Sequence, residues 1–174
     1  MSFNDLLVLK KTRKKPKEGD IFVLNPKRDL YCYGKIIEVG VKSKDSFVNG
    51  MYLIYLYDYF SKTKELKVEL DVDNLLIPLM VVNTQLWLKG YAETLSNIEV
   101  SEKERNLEFG FWDIGREIYV NINGDKIDNI PKLISLFGLG SYGIVGKEIQ
   151  KVIKERGIWE IVFLAPVGNN VEIN

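Results

Sequence analysis

The stretch MYLIYLYDYF, residues 51–60, decides how this chain folds. Its density of aromatic and β-branched side chains predicts a strand. A period of two places Tyr52, Ile54, Leu56 and Phe60 on one face and Met51, Leu53, Tyr55, Tyr57 and Tyr59 on the other. The first face is core. The second has two readings, because tyrosine joins an apolar body to a polar tip: a half-exposed contact surface, or a second layer of core.

Working outward, Val48-Asn49-Gly50 turns the chain into this strand. Upstream, IFVLNP (21–26) is apolar on both faces and reads as a short strand buried on both sides. Asn25 to Asp29 reads as a turn, and YCYGKIIEVG (31–40) as a second strand with a bulge or bend at Gly34. These two strands form a hairpin, the kind that opens a strongly bent sheet or small barrel.

Downstream, residues 61–74 read as a charged loop or edge strand, and IPLMVV (77–82) and QLWLKGY (85–91) as two more strands. TLSNIEVSEKERN (94–106) is polar and reads as a loop. NLEFGFWD (106–113) and REIYVNIN (116–123) follow as strands, with Ile118, Val120 and Ile122 inward. Asn123-Gly124 signals a type I′ hairpin turn. One helix is clear: Ser141 is its N-cap, Ile144, Val145, Ile149, Val152 and Ile153 form its apolar stripe, and Gly157 ends it. IWEIVFLAP (158–166) reads as a last strand. The expected fold is α+β: a mainly antiparallel, strongly curled, barrel-like sheet with one main C-terminal helix packed on it. Residues 1–15 are expected to be a flexible basic arm and 16–174 a single domain.

The formal charge is zero, but it is unevenly placed. Residues 1–17 hold six Lys/Arg and one acid, Asp5; taking these from totals of 24 each leaves 18 basic and 23 acidic residues, a body charge of −5. The arm carries no aromatics among its charges, so a solvated terminus competes with a nucleic-acid contact, and the acidic body makes nucleic acid an unlikely main partner. No apolar run reaches the roughly 20 residues of a membrane helix. Basic residues follow the short apolar start, the reverse of a secretory signal. A single cysteine, Cys32, fits a reducing compartment, so a soluble cytoplasmic protein with no membrane partner is expected.

There is no histidine. That removes the usual general base near neutral pH, the Ser-His-Asp and Cys-His arrangements, and most zinc sites. GLGSYG (138–143) matches the dinucleotide fingerprint and leads into the helix, with Glu160 as a formal ribose acid. A dinucleotide fold needs several parallel strands after the motif, and 14 residues follow Glu160. The glycines are better read as a tight, close-packed loop. Asp71 and Asp73 lack a calcium loop around them, and Cys32, inside a strand with no adjacent base, reads as an inert thiol. Asp58 and Asp113 end aromatic strands, where they could do acid–base work or anchor a partner. No cofactor, metal or catalytic residue is implied.

Taken in order, KPKEGDIFVL (15–24), YCYGKIIEV (31–39), LIYLYDY (53–59), NTQLWLKGY (83–91) and GLGSYGIVGKEI (138–149) resemble the bacterial immunity protein 26 family, over roughly residues 16–156. The resemblance implies a protein encoded beside a toxin, which it binds and neutralises inside the producing cell. It implies a protein partner and no catalytic residues. The surface expected to meet that partner is Tyr55, Tyr57, Asp58, Trp112 and Asp113, joined by Glu108. Aromatic strands can also pair with a second copy, so a homodimer is a further expectation. Two alternatives remain: an esterase or phosphotriesterase, marked by hydrolysis that a carboxylate mutant abolishes, and a barrel binding nucleic acid or peptide, marked by salt-sensitive affinity.

Overall fold

A computed structural model describes residues 5–158. Nine strands and three helices run in the order β1 (Asp20–Lys27), β2 (Leu30–Val39), β3 (Tyr52–Ser61), β4 (Met80–Val82), α1 (Gln85–Leu88), β5 (Ala92–Asn97), α2 (Glu102–Arg105), β6 (Phe109–Asp113), β7 (Ile118–Val120), β8 (Leu133–Leu136), β9 (Leu139–Gly140) and α3 (Tyr142–Glu155) among the described residues. They build two sheets, one of six strands ordered β5-β1-β2-β3-β4-β9 and one of three ordered β7-β6-β8.

The larger sheet is the middle layer, and its two faces bury separate cores. Phe22, Leu24, Ile54, Leu56 and Phe60 face α1 and α3 together with Trp87, Val145, Ile149 and Ile153. Leu53, Tyr55, Tyr57 and Val81 face the small sheet, joined by Phe111 and Val120. The period-two split of β3 therefore serves both layers, and the second face of its tyrosines is core.

The α+β class with one main helix near the C-terminus holds, but the strongly curled, barrel-like sheet does not. Neither sheet closes on itself, since the large one ends in the unlike strands β5 and β9. The physical reason lies in the apolar runs themselves. A sheet that curls around one core has one wet face, whereas one apolar on both faces needs cover on both and can stay open. One pairing in each sheet is parallel, β4–β9 in the large one and β6–β8 in the small one.

Several local expectations are also corrected. β1 runs on through Pro26, and the hairpin turn is only Arg28-Asp29, with Asp29 at φ 58°. The Asn25 amide donates to Leu30 O at 2.7 Å, which steadies the bulge there. QLWL is helix rather than strand. The polar 94–106 segment holds an edge strand, β5, and a capped turn of helix, α2. At Asn123-Gly124 only Gly124 has positive φ (86°), so the tight turn is not type I′. The α3 cap is as expected: Ser141 Oγ accepts from Ile144 N–H at 3.2 Å. Apart from Ile158, the last expected strand lies outside the described residues.

The N-terminal segment lies against the sheet. Leu6 is buried in the helix-side core, and the Leu7 and Leu9 N–H groups donate to Asn25 O and Gly90 O at 2.8 and 2.7 Å.

Gly34 marks the tightest approach in the middle layer. A Cβ there would stand 2.4 Å from Phe22 Cζ and 2.8 Å from Leu56 Cδ2, both in fully packed core. Gly34→Ala is therefore expected to destabilise the fold by about 1–3 kcal/mol through overpacking. Urea unfolding reads this directly; an unchanged midpoint would mean that the Phe22 ring has room to move.

Candidate partner-binding groove

Two features could carry function: a buried polar cluster between the layers and an apolar groove at their open end. The cluster centres on Glu104, which is 6% exposed and faces Lys35, 5% exposed. Lys35 Nζ donates to Glu104 Oε2 at 2.8 Å and to Glu99 O at 3.0 Å. Tyr57 donates to Glu104 Oε1 at 2.6 Å and Tyr55 to Glu104 O at 2.9 Å. Ser101 completes it, donating from N and Oγ to Oε2 at 2.8 and 3.0 Å. Burial pushes the Glu104 carboxyl up, but the bonds from Lys35, Tyr57 and Ser101 outweigh it and hold the group below its ordinary range. Burial, then the bond to Glu104, raises the Tyr57 hydroxyl well above its ordinary value. Every oxygen of the carboxylate is occupied, so the cluster is a fastening and not a reactive site.

Sequence reasoning missed Lys35 and Glu104. A signal was there: Ser101-x-x-Glu104 is a capping box, formed reciprocally at the start of α2. A buried lysine inside β2 gives no such sign.

The groove is a cavity of about 440 Å³. Its walls are Ile77 just before β4 and Met80 in it, Trp112 and Ile114 at the end of β6, Ile134 and Leu136 of β8, and Ile144 and Glu148 of α3. Ile114, Leu136 and Ile144 are 66%, 63% and 46% exposed. The half-buried Trp112 ring packs against Tyr119, with centroids 4.8 Å apart. The GLGSYG loop forms the groove's inner turn: Leu139-Gly140 is β9, paired with Val81-Val82. A Cβ on Gly140 would sit 3.0 Å from Met80 Cε, so the glycine serves close packing.

The residues expected at a partner surface fall in different places. Tyr55 and Tyr57 are each 1% exposed, in the core and the buried cluster. Trp112 lines the groove, with Asp113 next to it in β6. Asp113 accepts from Arg116 Nε at 2.7 Å and Arg116 N–H at 3.1 Å, and these bonds hold its carboxyl below the usual range. Glu108 is exposed just before β6. Asp58 lines a different cavity, with Glu69 and Asp71, and accepts from Arg156 Nη1 at 2.7 Å on both oxygens. Trp112 and Asp113 are thus adjacent, while Asp58 lies with the other group. Burial pushes the Cys32 thiol far above its ordinary value, as suits an inert thiol. Among the described residues, no group of three or more His, Cys, Asp or Glu could hold a metal ion, and no helix is long and apolar enough to cross a membrane.

A family model described as Immunity protein 26 matches residues 17–135, more than half of the chain. The match takes in both sheets as far as Ser135 of β8 and stops short of GLGSYG and α3. No curated protein and no solved structure matches the chain.

Glu104→Gln is expected to cost about 3–5 kcal/mol, because it leaves the Lys35 ammonium buried without its counter-charge. Adding Lys35→Met should restore part of that loss, a coupling readable in a double-mutant cycle by urea unfolding. The sign with pH follows from the lowered carboxyl. Its contribution is fully present above the unfolded glutamate value of about 4.3 and is lost as pH falls through the lower folded value. Stability of the parent chain should therefore drop below about pH 4 more steeply than that of the double variant.

Proposed function

The chain belongs to the Immunity protein 26 family, and from that premise we propose that it binds and neutralises a cognate bacterial toxin in the cytoplasm by direct protein–protein contact. The observation that carries the reading is the groove. Ile114, Leu136 and Ile144 stand exposed around one concave apolar wall, with Trp112 half-buried among them. Contiguous exposed apolar surface on a small protein is the usual mark of a docking site, and a tryptophan at its centre is the usual anchor.

Binding, not turnover, is the reading the carboxylates favour. Asp58 and Asp113 are each engaged by an arginine, and Glu104 is sealed in its cluster. A free base poised over a substrate would be left open on one side. The acidic body adds charge that steers a basic toxin toward the surface. On this reading Trp112 and Asp113 belong to the contact surface together with the groove.

The test is titration calorimetry against the toxin domain encoded beside this chain. The parent chain is expected to bind one-to-one with nanomolar affinity. Ile114→Asp with Leu136→Asp should weaken that binding by about 100-fold or more, since each places a charge on apolar contact area. Both side chains are largely exposed, so the urea midpoint should stay near that of the parent. Undiminished affinity in a folded double variant would remove the groove from the interface, and no binding by the parent chain would remove the reading.

A further inference from the structure

Resting on that reading, the geometry points to how the toxin is held: we propose that an extended segment of the toxin adds as a strand to the open edge of β8, with apolar side chains in the groove and a cationic one at Glu148. β8 is an edge, since the small sheet is ordered β7-β6-β8 and β8 pairs with β6 alone among the described strands. The pairing is parallel, with Gly110 opposite Ile134 and Trp112 opposite Leu136. Phe137 N–H donates to Trp112 O at 2.9 Å. In a parallel ladder the backbone groups of alternate residues point to alternate sides. Phe137, Ser135 and Leu133 thus turn toward β6, and Ile134 and Leu136 turn their N–H and C=O outward.

Those two residues also line the groove. The place where main-chain hydrogen bonds are on offer is therefore the place where apolar pockets are on offer. An added strand runs about 4.8 Å from β8 and sends every second side chain to one face. Main-chain bonds then supply affinity and the groove supplies selectivity.

Glu148 supplies the charge. It is half-buried on the α3 wall and has no hydrogen-bond or ion-pair partner among the described residues. Asp58, Glu104 and Asp113, by contrast, are all paired. An unpaired carboxylate beside apolar surface favours a Lys or Arg on the occupant. The same charge argument favours a basic toxin segment over a second copy of this chain, whose body carries −5 outside residues 1–17.

Hydrogen exchange of the full chain, alone and bound to the toxin domain encoded beside it, tests this with calorimetry in parallel. Strand addition predicts that the Ile134 and Leu136 amides exchange freely in the free chain and slow by about 100-fold in the complex. It also predicts that Leu136→Pro, which removes an outward N–H and leaves the bonds to β6, costs about tenfold more affinity than Leu136→Ala. Glu148→Gln should weaken binding and flatten its salt dependence. Tight binding with no added protection at Ile134 and Leu136 overturns strand addition and leaves the toxin-binding reading standing. No binding overturns both. Protection already present in the free chain overturns the proposal: a second copy is the occupant if it grows with concentration, and the chain itself covers the edge if it does not.

Discussion

One buried ion pair ties the start of the small sheet to the large one. Lys35 leaves the middle of β2, and Glu104 leaves α2, the last element before the small sheet begins. Two charges taken out of water hold each other only at short range and with their other bonding positions filled, which restricts them to one arrangement. Tyr57 of β3 and Ser101 fill those of the carboxylate and Glu99 O one of the ammonium, while Tyr55 of β3 holds the Glu104 main-chain carbonyl. Three elements are thus tied at one point, and the chain that enters β6 starts from a set place above the large sheet. Apolar packing is non-directional, so the ion pair adds an orientation that the Leu, Val and Phe contacts do not supply.

The second constraint is the taper of the large sheet. β2 and β3 are ten residues each, while β4 has three and β9 two. Helices and the small sheet cover the long strands from both sides. At the short end the layers extend past the sheet between them, and the space left is the groove, floored by β4 and β9 and walled by β8 and α3. Its apolar lining is a continuation of the core facing the small sheet, to which Val81, Leu133, Phe137 and Leu139 belong. The groove is core that ran out of strand to cover it.

How much of this was legible in the sequence follows from which forces leave a mark there. β1 to β3 and α3 could be read because burial on a face writes a period into the side chains. β5 could not: it pairs with β1 through its backbone, and exposed Thr94, Ser96 and Asn97 carry no apolar period. α1 is four residues long, too short for a helical period to outweigh the strand-like look of Leu86, Trp87 and Leu88. The open form of the sheet could have been inferred from the two apolar faces of β1 and β3, had these been read as demanding two covers. Trp112 and Asp113 were visible as an aromatic strand end. The groove around them was not, since Ile114, Leu136 and Ile144 come from just past β6, from β8 and from α3, and no single period links them. Glu104 had its capping box, but the partner that makes it matter lies 69 residues away.

Two of the terminal strands, β5 and β8, are built differently, and the contrast bears on what the groove is for. β5 ends the large sheet with Glu93, Thr94, Ser96 and Asn97, and Lys64 pairs with Glu93 at 2.9 Å. Polar and charged side chains of this kind keep an edge from recruiting strands. β8 carries no charge and a single hydroxyl, Ser135: it reads Leu-Ile-Ser-Leu, and Leu136 stands exposed. An apolar, uncharged edge beside an apolar cavity is an aggregation hazard on a protein that stays alone. Cover by another chain, as proposed for the toxin segment, would remove that hazard. β5 thus carries its own protection, while the edge at β8 opens on the apolar groove and is the one that the proposed toxin segment would cover.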